Sequence, residues 1–178
     1  MSQQLDQGLV SIFTGDGKGK TTAAIGAVVR AAGQGLRIFI AYFMKGGEYI
    51  HGENNILSQL PNISLASFGQ QQWVDKNNIR PEDKEQARLA LDAAVEAVNS
   101  GDYDLVVLDE VNVALKYGLI KLEDVINIIK TKPRKVELIL TGRYADPELV
   151  KMADLVTEML MIKHPFTKGI KAQRGIDY

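Results

Sequence analysis

Short apolar runs rich in β-branched residues recur along the chain, at Leu9–Phe13, Leu36–Phe43, Ile63–Phe68, Leu105–Leu108, Val136–Leu140 and Leu155–Ile162. Runs of this length without polar alternation mark strands covered on both faces, so each is expected to be largely buried. Between them the apolar positions change to a spacing of three and four. A helix beginning near Lys20 is expected to bury Ile25, Val28, Val29 and Ala32, and a longer one opening at Pro81 to bury Leu91, Ala94, Val95 and Val98. A third carries the stripe Leu122, Val125, Ile126 and Ile129. Pro81-Glu82-Asp83 and Asp146-Pro147-Glu148 mark helix starts, because proline loses no needed hydrogen bond there and carboxylates favour the positive end of the helix dipole. Such alternation predicts an α/β fold with a mostly parallel sheet and helices on both faces.

Two stretches escape the alternation, the polar Gly69–Asn78 loop and the Lys163–Tyr178 tail. Long loops in compact domains are usually functional or disordered. The chain has 178 residues, 46% of them hydrophobic, which predicts one domain over 1–178 around one core. A net charge of -1 argues against the basic field that holds nucleic acid and favours a small-molecule enzyme. There is no cysteine, and the histidines are His51 and His164, which excludes disulfides and thiolate chemistry and argues against a protein-built zinc or iron site. The longest apolar stretch, Leu36–Met44, is too short to span a bilayer and contains Arg37, and the opening MSQQLDQG lacks the features of a signal peptide. A cytoplasmic protein without membrane or nucleic-acid partners is expected.

Directly after the first strand stands Thr14-Gly15-Asp16-Gly17-Lys18-Gly19-Lys20-Thr21-Thr22, followed at once by the first helix. This is the context of a phosphate-binding loop. Its glycines let backbone N–H groups turn toward phosphate oxygens, the helix N-terminus adds its dipole, and the Lys20 ammonium neutralises a polyphosphate. Thr21 can give its hydroxyl to Mg2+. The usual pattern puts glycine where this chain has Thr14. The run Leu105–Leu108 ends in Asp109-Glu110, the arrangement by which P-loop proteins hold a metal opposite the loop threonine, although an acidic residue there also caps the next helix. The expected fold is therefore P-loop NTPase-like, with Gly15, Asp16, Gly17, Lys18, Gly19, Lys20, Thr21 and Thr22 around ATP, and Thr21, Asp109 and Glu110 at the metal.

Five blocks carry a more specific resemblance: GDGKGKTTAAIG, FMKGGEYIHGE, LVVLDEVNVALKYGLI, LTGRYADPEL and DLVTEMLMIKHPFTKGIKAQRGIDY. Together they resemble the cobalamin-pathway ATP:corrinoid adenosyltransferases across nearly the whole chain, and the last block is far more specific than any phosphate loop. The resemblance implies transfer of the 5′-deoxyadenosyl group of ATP to the Co(I) centre of a reduced corrinoid, releasing triphosphate, with Mg2+ or Mn2+. It also implies a reductase or flavoprotein that supplies Co(I), and a homodimer. Co(I) is itself a strong nucleophile, so no protein base is needed. Lys20 and Glu110 then serve catalysis by holding the departing triphosphate and its metal. No D-x-H-x-x-G motif occurs, which implies cobalt without a histidine from the protein.

An apolar wall beside the metal would favour reduction by excluding water, and Phe68 and Trp73 are the candidates; a lone loop tryptophan is as readily a packing anchor. Here the chain has Gln70-Gln71-Gln72-Trp73-Val74 where well-known bacterial members resemble Thr-Gly-Phe-Thr-Trp. Its short segment before the first strand is expected to be too little for the extra N-terminal helix that longer members of the resembled family fold over the substrate, which implies looser closure or closure by another loop. Lys45 follows the second strand toward the same crevice, and Arg143, in Thr141-Gly142-Arg143, can reach phosphate or the corrinoid's amide and carboxylate groups. Each could equally be a solvated lysine or a structural ion pair. The tail cations Lys163, Lys168, Lys171 and Arg174 are interleaved with Pro165, Phe166, Ile170 and Ile176, which reads as a segment that packs down. A small-molecule kinase and an ATP-gated binding module remain the alternatives.

Overall fold

Each of the six apolar runs contributes a strand to one sheet in the computed structural model, which describes residues 5–47 and 51–178. Part of the FMKGGEYIHGE block, residues 48–50, lies outside the described residues. The strands are β1 (Val10–Thr14), β2 (Ile38–Tyr42), β3 (Ile63–Ser67), β4 (Leu105–Asp109), β5 (Glu137–Thr141) and β6 (Leu155–Glu158). Their order is β3-β2-β4-β5-β1-β6 and every pairing is parallel. All C-terminal strand ends therefore point to one edge, where open α/β sheets bind ligands.

Parallel neighbours need crossovers, and the helices supply them. They are α1 (Lys20–Gly33), α2 (Gly52–Leu57), α3 (Pro81–Asn99), α4 (Val111–Lys116), α5 (Leu122–Thr131) and α6 (Pro147–Met152). Ala24 and Val28 of α1 and Leu57 of α2 pack on one face of the sheet with Ile38, Ile40, Val107 and Ile139. Alanines of α3, together with Val125 and Ile128 of α5 and Leu149 of α6, cover the other face against Val106, Leu108, Leu138 and Leu140. Alternate residues of β4 thus feed both layers, which is why its sequence is apolar without a break.

The helix stripes differ from expectation in detail. Val29 is 53% exposed and Val95 42%. The buried line of α3 is Ala87, Ala90, Leu91, Ala94, Ala97 and Val98, a three-four spacing that excludes position 95 and brings helix and sheet close through small side chains. Ile25 and Ala32 pack only partly buried against their cluster. The last strand is also shorter and barer than its sequence predicts. It ends at Glu158, because its sole neighbour β1 ends at Thr14 opposite it, and all its residues are exposed at the sheet edge. Leu160 and Ile162, expected within it, lie beyond at 71% and 86% exposure. The Gly69–Asn78 loop carries no helix or strand, while the tail holds a 3-10 turn at Pro165–Lys168.

Candidate active site

The glycine loop leaves β1 and turns into α1 with Gly15 and Gly19 at φ values of 97° and 112°, a left-handed backbone that favours glycine. Gly15 has a second reason. A Cβ there would sit 2.5 Å from the carbonyl oxygen of Met159. The chain just past β6 backs the loop: Met159 N–H donates to Thr14 O at 2.8 Å, and Gly17 N–H donates to Met159 O at 2.7 Å. Thr14, in place of the usual glycine, uses its hydroxyl as acceptor for Ala145 N–H at 3.3 Å, tying the loop's entry to the turn after β5.

Lys20 is 8% exposed, and its ammonium donates to the loop's own Gly17 O at 2.7 Å. Burial lowers its pKa, and the negative charge of Glu110 is the main influence opposing that shift. The two side chains therefore share one electrostatic environment.

Glu110 is the N-cap of α4 and stands at φ 64°, a conformation costing a non-glycine residue about 1 kcal/mol. A relay fixes it. Glu110 N–H donates to the Thr141 hydroxyl at 2.9 Å, that hydroxyl donates to Asp109 Oδ1 at 2.7 Å, and Asp109 Oδ2 accepts from Lys45 Nζ at 2.5 Å. Asp109, paired with Glu110 at the metal in the sequence reading, thus has both oxygens engaged by protein donors at 1% exposure. Among the described residues no donor is recorded for the Glu110 carboxylate. Its pKa is raised by burial first and by Asp109 second, the state of a carboxylate that a cation would relieve. No group of three or more acidic or histidine side chains stands ready to hold a metal among the described residues. Thr21 and Glu110 would supply few protein ligands, which suits Mg2+, an ion that keeps waters and takes substrate phosphates.

Arg143 reaches back to the loop, its guanidinium 3.8 Å from Asp16 Oδ1 and 3.5 Å from Asp16 O. Lys18 is paired with Asp177 of the tail. Between the start of α1, the His51–Glu53 segment and Gly175–Tyr178 lies a cavity of about 310 Å³ that Lys45 and Thr21 also line.

Lys45 joins this cluster to the polar loop, since its backbone N–H donates to Phe68 O at 2.8 Å. Phe68 packs partly buried against the core, whereas Trp73 is 79% exposed. The loop between them is held by α3: Gly69 N–H donates to Gln86 Oε1 at 3.1 Å and Arg80 to Gln72 Oε1 at 3.0 Å.

The structure thus gathers Lys18, Lys20, Thr21, Glu110 and Arg143 around one loop, with Lys45 and Asp109 behind Glu110. Thr141, Met159 and Asp177 were not singled out by the sequence. All three lay inside quoted blocks, but Met159 acts through backbone atoms that no side-chain pattern reports.

A parallel α/β sheet whose first strand runs into a glycine loop, a buried lysine and a helix N-terminus defines a P-loop nucleotide-binding domain. The family model described as ATP:corrinoid adenosyltransferase BtuR/CobO/CobP matches residues 6–178. A corrinoid adenosyltransferase of Pseudomonas aeruginosa is 36% identical over 97% of this chain and 85% of its own length. One of Escherichia coli is 34% identical over 98% and 88%. The chain belongs to the ATP:corrinoid adenosyltransferase family, and its activity is the ATP-dependent adenosylation of a corrinoid. A KaiC-like protein of Pyrococcus horikoshii shares the fold, with a TM-score of 0.56 at 16% identity over 86% of this chain and 74% of that one.

Proposed function

We propose that this chain, as one domain over 1–178, transfers the 5′-deoxyadenosyl group of ATP to the Co(I) centre of a reduced corrinoid and releases triphosphate, in adenosylcobalamin biosynthesis or salvage. The observation that carries this reading is the division of labour in the crevice. Cations and backbone donors crowd the phosphate loop, and Asp109, one of the two carboxylates after β4 that could orient a nucleophile toward a γ-phosphate, is locked onto Lys45 and Thr141. In the transfer the cobalt electron pair forms the bond to C5′, and the C5′–O bond pair leaves with the triphosphate. The protein has only to align the two centres and offset charge on the leaving group.

Lys20, Lys18 and the loop amides between Gly15 and Thr22, apart from that of Gly17, which is engaged with Met159 O, hold the triphosphate in this reading. Asp16 keeps Arg143 at the loop mouth, where its guanidinium can reach phosphate or the corrinoid's amides. Thr21 and Glu110 hold Mg2+, or Mn2+, which when bound neutralises the polyphosphate. Asp109 supports both from behind by fixing Thr141 and Lys45. Phe68 and Trp73 wall the corrin face and exclude water from it.

A flavoprotein or other reductase supplies Co(I), and the protein works as a homodimer in the cytoplasm. Among the described residues no helix is long and apolar enough to cross a membrane. The bare edge of β6 gives a dimer a place to form.

The test is anaerobic mixing of the protein with chemically reduced cob(I)alamin and Mg·ATP. Formation of a light-sensitive alkylcobalamin with one triphosphate per turnover is the expected result. Release of ADP, or an unchanged cobalt spectrum with several corrinoids, would overturn it.

A further inference from the structure

The tail from Lys163 onward buries little. Phe166 and Ile176 are each more than three-quarters exposed, so apolar packing contributes little to holding it on the domain. Near the phosphate loop it is met by charge: Asp177 pairs with Lys18, the first lysine of the loop. Asp177 also organises the tail's own last turn. Its Oδ2 accepts from Gln173 N–H at 2.7 Å, its N–H donates to Gln173 O at 2.8 Å, and Gly175 N–H donates to Tyr178 O at 2.8 Å. One carboxylate oxygen closes the turn, and the other, buried and without a hydrogen-bond partner among the described residues, faces the Lys18 ammonium as an ion pair. The turn so placed forms a wall of the cavity above Thr21, Thr22 and Ile25.

We propose that Asp177 is a positioning residue of the nucleotide site: it holds the Lys18 ammonium at the phosphate loop and seats the Gln173–Tyr178 turn as a wall of the nucleotide pocket. The proposal rests on the phosphate-loop role given above. The chemistry allows both partners at once. An ammonium has three donors, so Lys18 can stay paired in charge with Asp177 and turn donors to phosphate oxygens. Half-exposed and on a flexible four-carbon stem, Lys18 without Asp177 would have to be ordered by each incoming ligand, an entropic cost that the fixed pair removes beforehand. Neighbouring cations do not fill this role. Lys20 is bound to the loop's own Gly17 carbonyl, and Arg143 faces Asp16 on the loop's other residues.

The experiment measures binding of Mg·ATP and of Mg·tripolyphosphate alone by calorimetry, with steady-state adenosylation of cob(I)alamin beside it, for the wild type, D177N, D177E, K18A and K18A/D177N. Asp177→Asn keeps an acceptor for Gln173 N–H but removes the charge. It should weaken both ligands and raise the ATP KM about tenfold, with kcat changed less than about twofold. D177E should recover most of the loss. In the K18A background the D177N change should add almost nothing, because the effect acts through Lys18. A D177N protein that binds as well as or better than wild type would overturn the proposal, as would additive losses in the double variant. If wild type itself binds neither ligand, the phosphate-loop reading fails and this one with it. If wild type binds and D177N is unchanged, only this one fails.

Discussion

Asp109 and Lys45 form a nearly solvent-free ion pair, 2.5 Å between Oδ2 and Nζ, at the ends of two adjacent strands, and the second oxygen of Asp109 is held by Thr141. β2 and β4 are in register there, with Tyr42 opposite Asp109, so the chain leaving β2 must carry Lys45 over the carboxylate. The pair links three elements of the crevice before any ligand arrives.

Removing one partner of such a pair leaves an uncompensated buried charge. Lys45→Ala is expected to lower the free energy of unfolding by about 3 kcal/mol. The double variant K45M/D109N, which leaves no charge behind, should regain most of that loss. Urea denaturation of the three proteins checks both statements.

Glu110 gives a pH signature. Its carboxyl is raised above its reference value of 4.5, mainly by burial. A carboxyl raised on folding contributes stability that is fully present below its unfolded pKa and is lost as pH rises through the folded one. The wild type without metal should lose stability across a window opening near pH 4.5 and extending upward. E110Q should lack that part of the slope. Mg·ATP should reverse the ranking above the window, stabilising wild type more than E110Q. Denaturation midpoints in a pH series, with and without Mg·ATP, read this directly.

Gly142 lies at φ 122°, and a Cβ there would stand 3.2 Å from Glu110 Oε2, Asn112 Cβ and Val113 N. Gly142→Ala combines backbone strain with a push on the Glu110 carboxylate. A loss of roughly 1–3 kcal/mol of stability is expected. The KM for Mg·ATP should rise with it. An unchanged KM in a destabilised protein would show that Glu110 is not displaced.

The polar loop depends on the start of α3. Asp83, 3% exposed, accepts from the Arg80 backbone N–H at 3.0 Å, which caps the start of α3, and from its guanidinium at 2.7 Å, and the same arginine then reaches Gln72. Asp83→Ala should remove about 1 kcal/mol of helix capping and free the Gly69–Asn78 loop. If that loop walls the corrin face, the KM for the corrinoid should rise while the KM for ATP stays constant.

The sequence by itself determined the strands, the parallel α/β class and the phosphate loop, because each is local. A continuous apolar run specifies a strand buried on both faces, and a glycine-rich turn with Lys20 and Thr21 at a helix start specifies an anion site, wherever the rest of the chain lies. The C-terminal block also pointed to the family. Tertiary structure decided what depends on neighbours. The apolar run from Leu155 to Ile162 reads like the central strands, but β1 is too short to pair with it beyond Glu158. Asp109 and Glu110 are adjacent and chemically alike, yet only the approach of Lys45 and Thr141 commits one to the framework and leaves the other toward the loop. Lys18 and Asp177 are separated by almost the whole chain, and no period or motif encodes their meeting. Their contact exists because β6 lies beside β1 and delivers the tail to the phosphate loop, a consequence of strand order.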